Sequence, residues 1–295
     1  MNEEIFEISS GEYKAQFTSM GAALVSLQHS DKDLVERRTH SKYFSGEILA
    51  PWPNRIRDGR YTFQNSTYQL HINEISRGNA LHGLVFNKSW KKLSHSKNEI
   101  SFTTEIEESN FYPGSLELTA KYLLAEHGLI SQLTATNIGK RTAPYGASVH
   151  PYFVVPGLQS ANDFFLKIGA DQVLMTDEAR LLPLELVGVG QSEFDFRKSR
   201  QINNLLIDHA FRQDPALPKE IWITNKHGHG VVVTFSENLK WIQVHTADRD
   251  GGIDSRKALA VEPMTCPPDA FNSNIDLVEL KPGDSHAISW KVQTR

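Results

Sequence analysis

The chain holds a single cysteine, Cys266, in 295 residues. One thiol excludes a disulfide framework and a paired-thiol metal site. No apolar run approaches the roughly 18 consecutive residues that a membrane span needs. The opening stretch, MNEEIFEISSGEY, is acidic where a secretory signal carries a positive region and an apolar core. A cytoplasmic location, with no membrane partner, is therefore expected. Charge of one sign is missing as well: 31 Lys and Arg against 35 Asp and Glu leave a net −4, mixed along the chain. Nucleic acid would call for a basic face or stripe. The one basic run, RIRDGR from Arg55 to Arg60, is interrupted by Asp58 and Gly59 and reads as a turn. Linkers, fixed-period repeats and low-complexity tracts are absent too, so residues 1–295 are expected to form one domain. The oligomeric state stays open.

What is present is β pattern. Runs such as YKAQFTS, EISFTTEIE, LELTAKYLL, LISQLTATNI, EIWITN, GVVVTFS, LKWIQVHT, KALAVE and HAISWKVQ alternate or are rich in Val, Ile, Thr and aromatics. Turn signals separate them, among them Asp58-Gly59, His127-Gly128 and Pro282-Gly283-Asp284. Only Ser199 to Leu206 and Asp31 to Arg38 read as helical. A dozen or so strands without βα alternation imply an all-β protein of sheet packed on sheet. One extended antiparallel sandwich with minimal helix is predicted.

Most of the twelve histidines sit in polar surroundings. His29, His40, His95 and His286 read as solvated. His227 and His229 in NKHGHG fall at a hairpin tip, with no further ligand at metal spacing nearby. Two others differ. His82 in NALHGLVF has an apolar residue before it and a glycine after it, which lets another group approach. His150 in YGASVHPYF is set among Val149, Pro151 and Phe153. Each is either a core histidine satisfied by a carbonyl or a functional one. Arg55 follows the rigid PWPN loop and is either a structural ion pair or a ligand-binding group. Asp208 in LLIDHAF is either a cap or a buried carboxylate, and Gln243 in WIQVHT fits the outward position of an alternating strand. Glu262 ends the apolar run from Ala258 to Val261. A carboxylate there is costly unless something uses it, and the prolines after it place it where a strand ends at a pocket rim.

Two imidazoles, two carboxylates, a guanidinium and an amide make a telling inventory. No nucleophile elbow, Gly-rich phosphate loop or metal cluster accompanies them. The set suits proton transfer on a neutral polyhydroxylated ligand, since charged groups bind hydroxyls strongly and His with Glu supply acid and base near neutral pH.

The motifs PWPNRIRDGRYTF, NALHGLVFNKSW, SVHPYF, LIDHAF and LAVEPMTCPPDAFN, closing in LKPGDSHAISWKV, occur in an order that resembles the aldose 1-epimerase (mutarotase) family. The resemblance runs from Gly21 to Trp290. It implies a large antiparallel β-supersandwich and a cofactor-independent isomerase acting on a sugar. By motif, Glu262 matches the family's general base and His150 its general acid. Asn54, Arg55, His82, Tyr152, Asp208 and Gln243 match positions that bind the sugar. The segment LHGLVFNKSW is shorter than in galactose mutarotases and resembles a divergent bacterial branch, for which hexose 6-phosphates and sulfonated sugars are alternative substrates. A non-catalytic sugar-binding protein on the same scaffold and a metal-dependent sandwich enzyme are competing readings. Two carboxylates facing one certain cation, Arg55, disfavour a phosphate. Lys88, Arg60, Arg249 and Arg256 are the loop cations that would have to offset them, so a neutral or singly charged aldose is expected.

Overall fold

A computed structural model describes residues 4–38, 43–248 and 255–295 of the chain. His40 and Arg249 lie outside the described residues. Two large antiparallel sheets dominate. The nine-stranded one runs, edge to edge, through Lys91–His95, Glu99–Ile106, Leu116–Ala125, Gly128–Asn137, Ser285–Thr294, Gly230–Phe235, Glu220–Thr224, Phe165–Ile168 and Arg200–Gln201. The six-stranded one runs through Tyr152–Phe153, Leu259–Met264, Trp241–His245, Asp208–Gln213, Ala170–Thr176 and Pro183–Gly188. A four-stranded sheet of residues 5–33 and several two-stranded ribbons complete the architecture.

Alternation in the sequence decides which side of each strand enters the core. In LELTAKYLLA, Leu116, Leu118, Ala120, Tyr122 and Leu124 are buried while Glu117 and Lys121 are exposed, the two-residue period of a strand. From the six-stranded sheet, Phe153, Leu259, Val261, Ile242, Val244, Phe211 and Val173 meet them in one continuous hydrophobic cluster. Each fully buried Leu or Phe there contributes about 1.5–3 kcal/mol.

Two expectations fail. Asp31 to Arg38 is not helical: Ser30 and Asp31, both at positive φ, turn the chain between His29 and Lys32, which pair across a hairpin. Two consecutive residues with positive φ are what a tight hairpin turn requires. Ser199 to Leu206 holds the strand Arg200–Gln201 and then a turn with Asn203 at φ 54. Asparagine's tolerance of the left-handed region outweighs the helical periodicity there. Among the described residues the one α-helix is the short Ala270–Ser273. The NKHGHG segment does form a hairpin tip between Glu220–Thr224 and Gly230–Phe235, with His227 and His229 both exposed.

Candidate active site

The far face of the six-stranded sheet, turned away from the core, floors a cavity of about 360 Å³. That volume falls within the range of small-molecule sites. Its floor follows from strand register. Tyr152 pairs with Ala260, Ala260 with His245, and His245 with Asp208, forming one row across four strands. Glu262, Gln243 and Ala210 form the next row. All eight residues singled out from the sequence line this cavity.

Glu262 differs from its expected placement in one respect. The strand does not end there but continues through Pro263 to Met264. Pro263 is tolerated because the neighbouring strand Tyr152–Phe153 has already ended at that level. Beyond it, the Ser148 hydroxyl donates to the Pro263 carbonyl at 2.9 Å. Glu262 therefore sits in the middle of a strand, 1% exposed. His150 Nε2 lies 3.2 Å from one carboxylate oxygen of Glu262, and the other oxygen is buried with no hydrogen-bond partner. Burial, and next the nearby Asp208 charge, push the Glu262 pKa well above its ordinary value against the opposing pull of Arg55.

His150 is fixed by backbone. Its N–H donates to the Glu47 carbonyl and its carbonyl accepts from Gly46 N–H, at 3.1 and 2.8 Å. Glu47 is in turn ion-paired with Arg38 at 3.2 Å, both side chains buried. The His150 ring stands 5.3 Å from that of His82 and 5.0 Å from that of Tyr152, centroid to centroid. Phe44 meets His82 edge-on at 4.5 Å.

His82 occupies φ 65, and Gly83 follows at φ 80. A side chain on Gly83 would lie 2.1 Å from the Ala50 carbonyl oxygen, so the close approach expected beside that glycine is made by backbone. The Nδ1 atom of His82 accepts a 3.2 Å hydrogen bond from Asn54 N–H, which leaves the ring hydrogen on Nε2. Burial, then the neighbouring His150 and Arg55, lower the His82 pKa well below its usual value, so the ring is neutral.

Arg55 is both an ion pair and a site residue. Its guanidinium makes a forked contact with Glu74 at 3.0–3.2 Å and lies 3.8 Å from Asp208. Burial works to lower its pKa, but Asp208, Glu74 and Glu262 outweigh that and raise it. Asp208 opens a strand rather than capping a helix or turn, and it accepts from Gln243 Nε2 at 2.6 Å. Burial resists its ionisation, yet His245, Arg55 and the Gln243 bond together hold its pKa below the usual carboxylate range. Gln243 does take the non-core position of its strand, but that side is the cavity floor rather than solvent, and the residue is 2% exposed. Its Oε1 is buried and unpartnered.

Six cavity-lining residues were missed by sequence reasoning: Tyr43, Phe44, Arg77, Leu81, His245 and Asp248. Only His245 had a signal, lying two residues from Gln243 and so on the same strand face. The brace behind Arg55 was also hidden. Arg180 donates to the Arg77 and Gly78 carbonyls and to Asn79 Oδ1 at 2.8, 3.0 and 3.1 Å, while Asn79 Nδ2 holds Glu74 at 2.9 Å. The loop cations named from sequence are engaged elsewhere or lie off the cavity. Lys88 donates to the Glu105 carbonyl, and Arg256 is tied to Asp248, Asn162, Asn203 and Leu205. Arg60 is exposed and outside the lining. Arg77 does line the cavity, but it shares Glu74 with Arg55 at 3.3 Å. Of the histidines read as solvated, His95 is exposed, His29 is partly covered beside Glu12, and His286 is half-buried against Tyr145, its pKa lowered by burial. Among the described residues no group of three or more His, Cys, Asp or Glu side chains could hold a metal.

Comparison with known proteins agrees with this architecture. The aldose 1-epimerase family model matches residues 4–293. The protein YihR of Escherichia coli, uncharacterised, is 33% identical over 97% of this chain and 91% of its own length. A galactose mutarotase of Bos taurus is 24% identical over 96% and 91%. Among solved structures, the GalM/aldose epimerase homologue of C. elegans superposes with a TM-score of 0.88 at 21% identity, covering 100% of this chain and 99% of that one. A galactose 1-epimerase from Lactobacillus acidophilus superposes with a TM-score of 0.82 at 19% identity, with the same coverage.

Proposed function

Because the chain belongs to the aldose 1-epimerase family, a family of isomerases, we propose that it interconverts the α and β anomers of a free aldose, with Glu262 as general base and His150 as general acid. Glu262 removes the proton of the C1 hydroxyl while His150 protonates the ring oxygen. The ring opens to the aldehyde, the C1–C2 bond rotates, and the two groups exchange roles as the ring closes on the other face. The reaction needs only a proton at each end of the hemiacetal.

The observation that carries this reading is the buried pair of His150 Nε2 and Glu262 Oε1 at 3.2 Å, with the second carboxylate oxygen unpartnered on the cavity floor. An oxygen without a donor has an acceptor position for a C1 hydroxyl. The raised Glu262 pKa makes the carboxylate a stronger base. Retaining both proton-transfer groups in contact favours an enzyme over a sugar-binding protein. Glu262→Gln should lower anomer exchange, read by polarimetry or saturation-transfer NMR, by at least about 10²-fold, the smaller effect of losing a general base. Exchange near the wild-type rate in that variant would reject the assignment.

The preferred substrate is a neutral or singly charged aldose rather than a hexose 6-phosphate. A phosphate brings close to two negative charges, whereas Asp208, Glu262 and Glu74 already engage the cavity cations Arg55 and Arg77. Glucose, galactose and glucose 6-phosphate compared at low ionic strength test this. A kcat/KM more than about tenfold higher for the phosphate, equivalent to roughly 1.4 kcal/mol, would overturn it.

A further inference from the structure

We propose that His245 touches the substrate, donating a hydrogen bond to one sugar hydroxyl away from C1 and so helping to set which aldose is accepted. The proposal rests on the mutarotase reading for the placement of C1.

Register puts His245 in the middle of the floor. It stands between Ala260 and Asp208 in the row that begins at Tyr152, one strand from each. Adjacent strands are about 4.8 Å apart, so the row from Tyr152 to Asp208 spans about 14 Å. A sugar with C1 at Glu262 and His150, and with a far side reaching Asp208, passes against His245, which lines the same cavity. Asp208, its neighbour in the row, is itself held by Gln243 at 2.6 Å.

The ring has spare hydrogen-bonding capacity. His245 Nδ1 is buried and has no partner, and among the described residues Nε2 has none either. Because Nδ1 is enclosed, the imidazole meets the cavity through its other edge, which carries Nε2. A buried N–H without an acceptor is rarer in proteins than a buried lone pair without a donor. The ring therefore presents its Nε2 hydrogen to the ligand. Asp208 and Glu262 are acceptors, so a second donor beside the Nε2–H of His82 complements hydroxyls that both give and take hydrogen bonds.

The test measures dissociation constants by ligand-observed NMR for D-galactose, D-glucose and their monodeoxy analogues, alongside anomer exchange of the parent sugars. The protein is wild type, His245→Phe or His245→Gln. Phenylalanine keeps a flat ring without an N–H, and glutamine restores a donor if the phenylalanine variant folds poorly. His245→Phe should weaken the accepted parent sugar by about three- to tenfold, the range for one neutral hydrogen bond. One deoxy analogue should bind wild type and His245→Phe equally, while the others keep the parent's ratio. His245→Gln should recover part of the loss. The proposal is overturned if neither sugar binds, if His245→Phe binds like wild type, or if every analogue weakens by the same factor. Sugar binding without anomer exchange in the wild type would strike the mutarotase reading and leave this one standing.

Discussion

The two faces of the six-stranded sheet are made by the same strands and yet do opposite things. Val261 and Glu262 are neighbours in the chain; one packs in the central cluster and the other faces the cavity. Ile242 and Val244 alternate with Gln243 and His245 in the same way. On the core face these side chains are apolar and each adds stability. On the cavity face burial and the neighbouring Asp208 raise the Glu262 pKa against the pull of Arg55, at a cost to the folded state. The difference shows where this protein spends stability on chemistry: along one side of three or four strands, with the other side making up the loss.

Leu259→Ala strikes the core face directly below the site and should have the largest effect. Unfolding in urea should show a loss of about 2–5 kcal/mol, while exchange measured well below the melting temperature stays within about twofold. A drop in kcat as large as that in stability would mean that the two faces are not separable. Arg180→Met probes the edge of the cavity face. Removing four contacts to the 58 and 77–79 segments frees Glu74 and with it Arg55. KM should rise about three- to tenfold, the worth of one or two hydrogen bonds, with kcat nearly unchanged. Asp58→Asn keeps a residue that tolerates the φ of 56 at this turn and removes only the charge of the exposed pair with Arg180, so it should leave KM alone. If both substitutions act alike, Arg180 is not a positioning residue.

A smaller effect follows from the raised Glu262 pKa. Below its ordinary value of 4.5 the carboxyl is protonated whether the chain is folded or not. Above that, the unfolded chain releases the proton and the folded one retains it until pH passes the raised value, so stability falls with rising pH across that window. Glu262→Gln has no such proton. Melting curves should therefore show no advantage for the variant near pH 4 and an increasing one as pH rises until the raised value is passed; a constant offset at all pH values would contradict the linkage. The smallest expected effect is none: exhaustive chelation should leave exchange unchanged, since the described residues hold no cluster of metal ligands. Activity lost to EDTA and restored by a divalent ion would instead point to His227 and His229.

Much of this contrast was legible in the sequence. Period-two alternation in LELTAKYLL or GVVVTFS needs no tertiary information, and the motifs around Asn54, His82, His150, Asp208, Gln243 and Glu262 named residues that share one cavity. Alternation alone, however, cannot say whether the second face of a strand meets water. Gln243 read as outward because nothing local reveals the cover above it. Arg180 was invisible for a different reason: it braces Asn79, and through it Glu74, across about a hundred residues of chain. The Asp31 and Asn203 turns were missed because helical spacing was weighed above the left-handed tolerance of Asp and Asn.

The interleaving of cavity and core residues carries a consequence for how errors are tolerated. Shifting the strand Trp241–His245 by one position against its neighbours would drive Gln243 and His245 into the hydrocarbon interior and push Ile242 and Val244 out toward the cavity. A chain folded in the wrong register here could not be a stable molecule with a spoiled site; it would bury polar groups with no partners and fail to hold together. The site is thus proofread by the fold: any copy that completes this sheet has its reactive side chains on the correct side, and single-residue insertions in these strands should be lost as insoluble protein before they are ever seen as inactive enzyme.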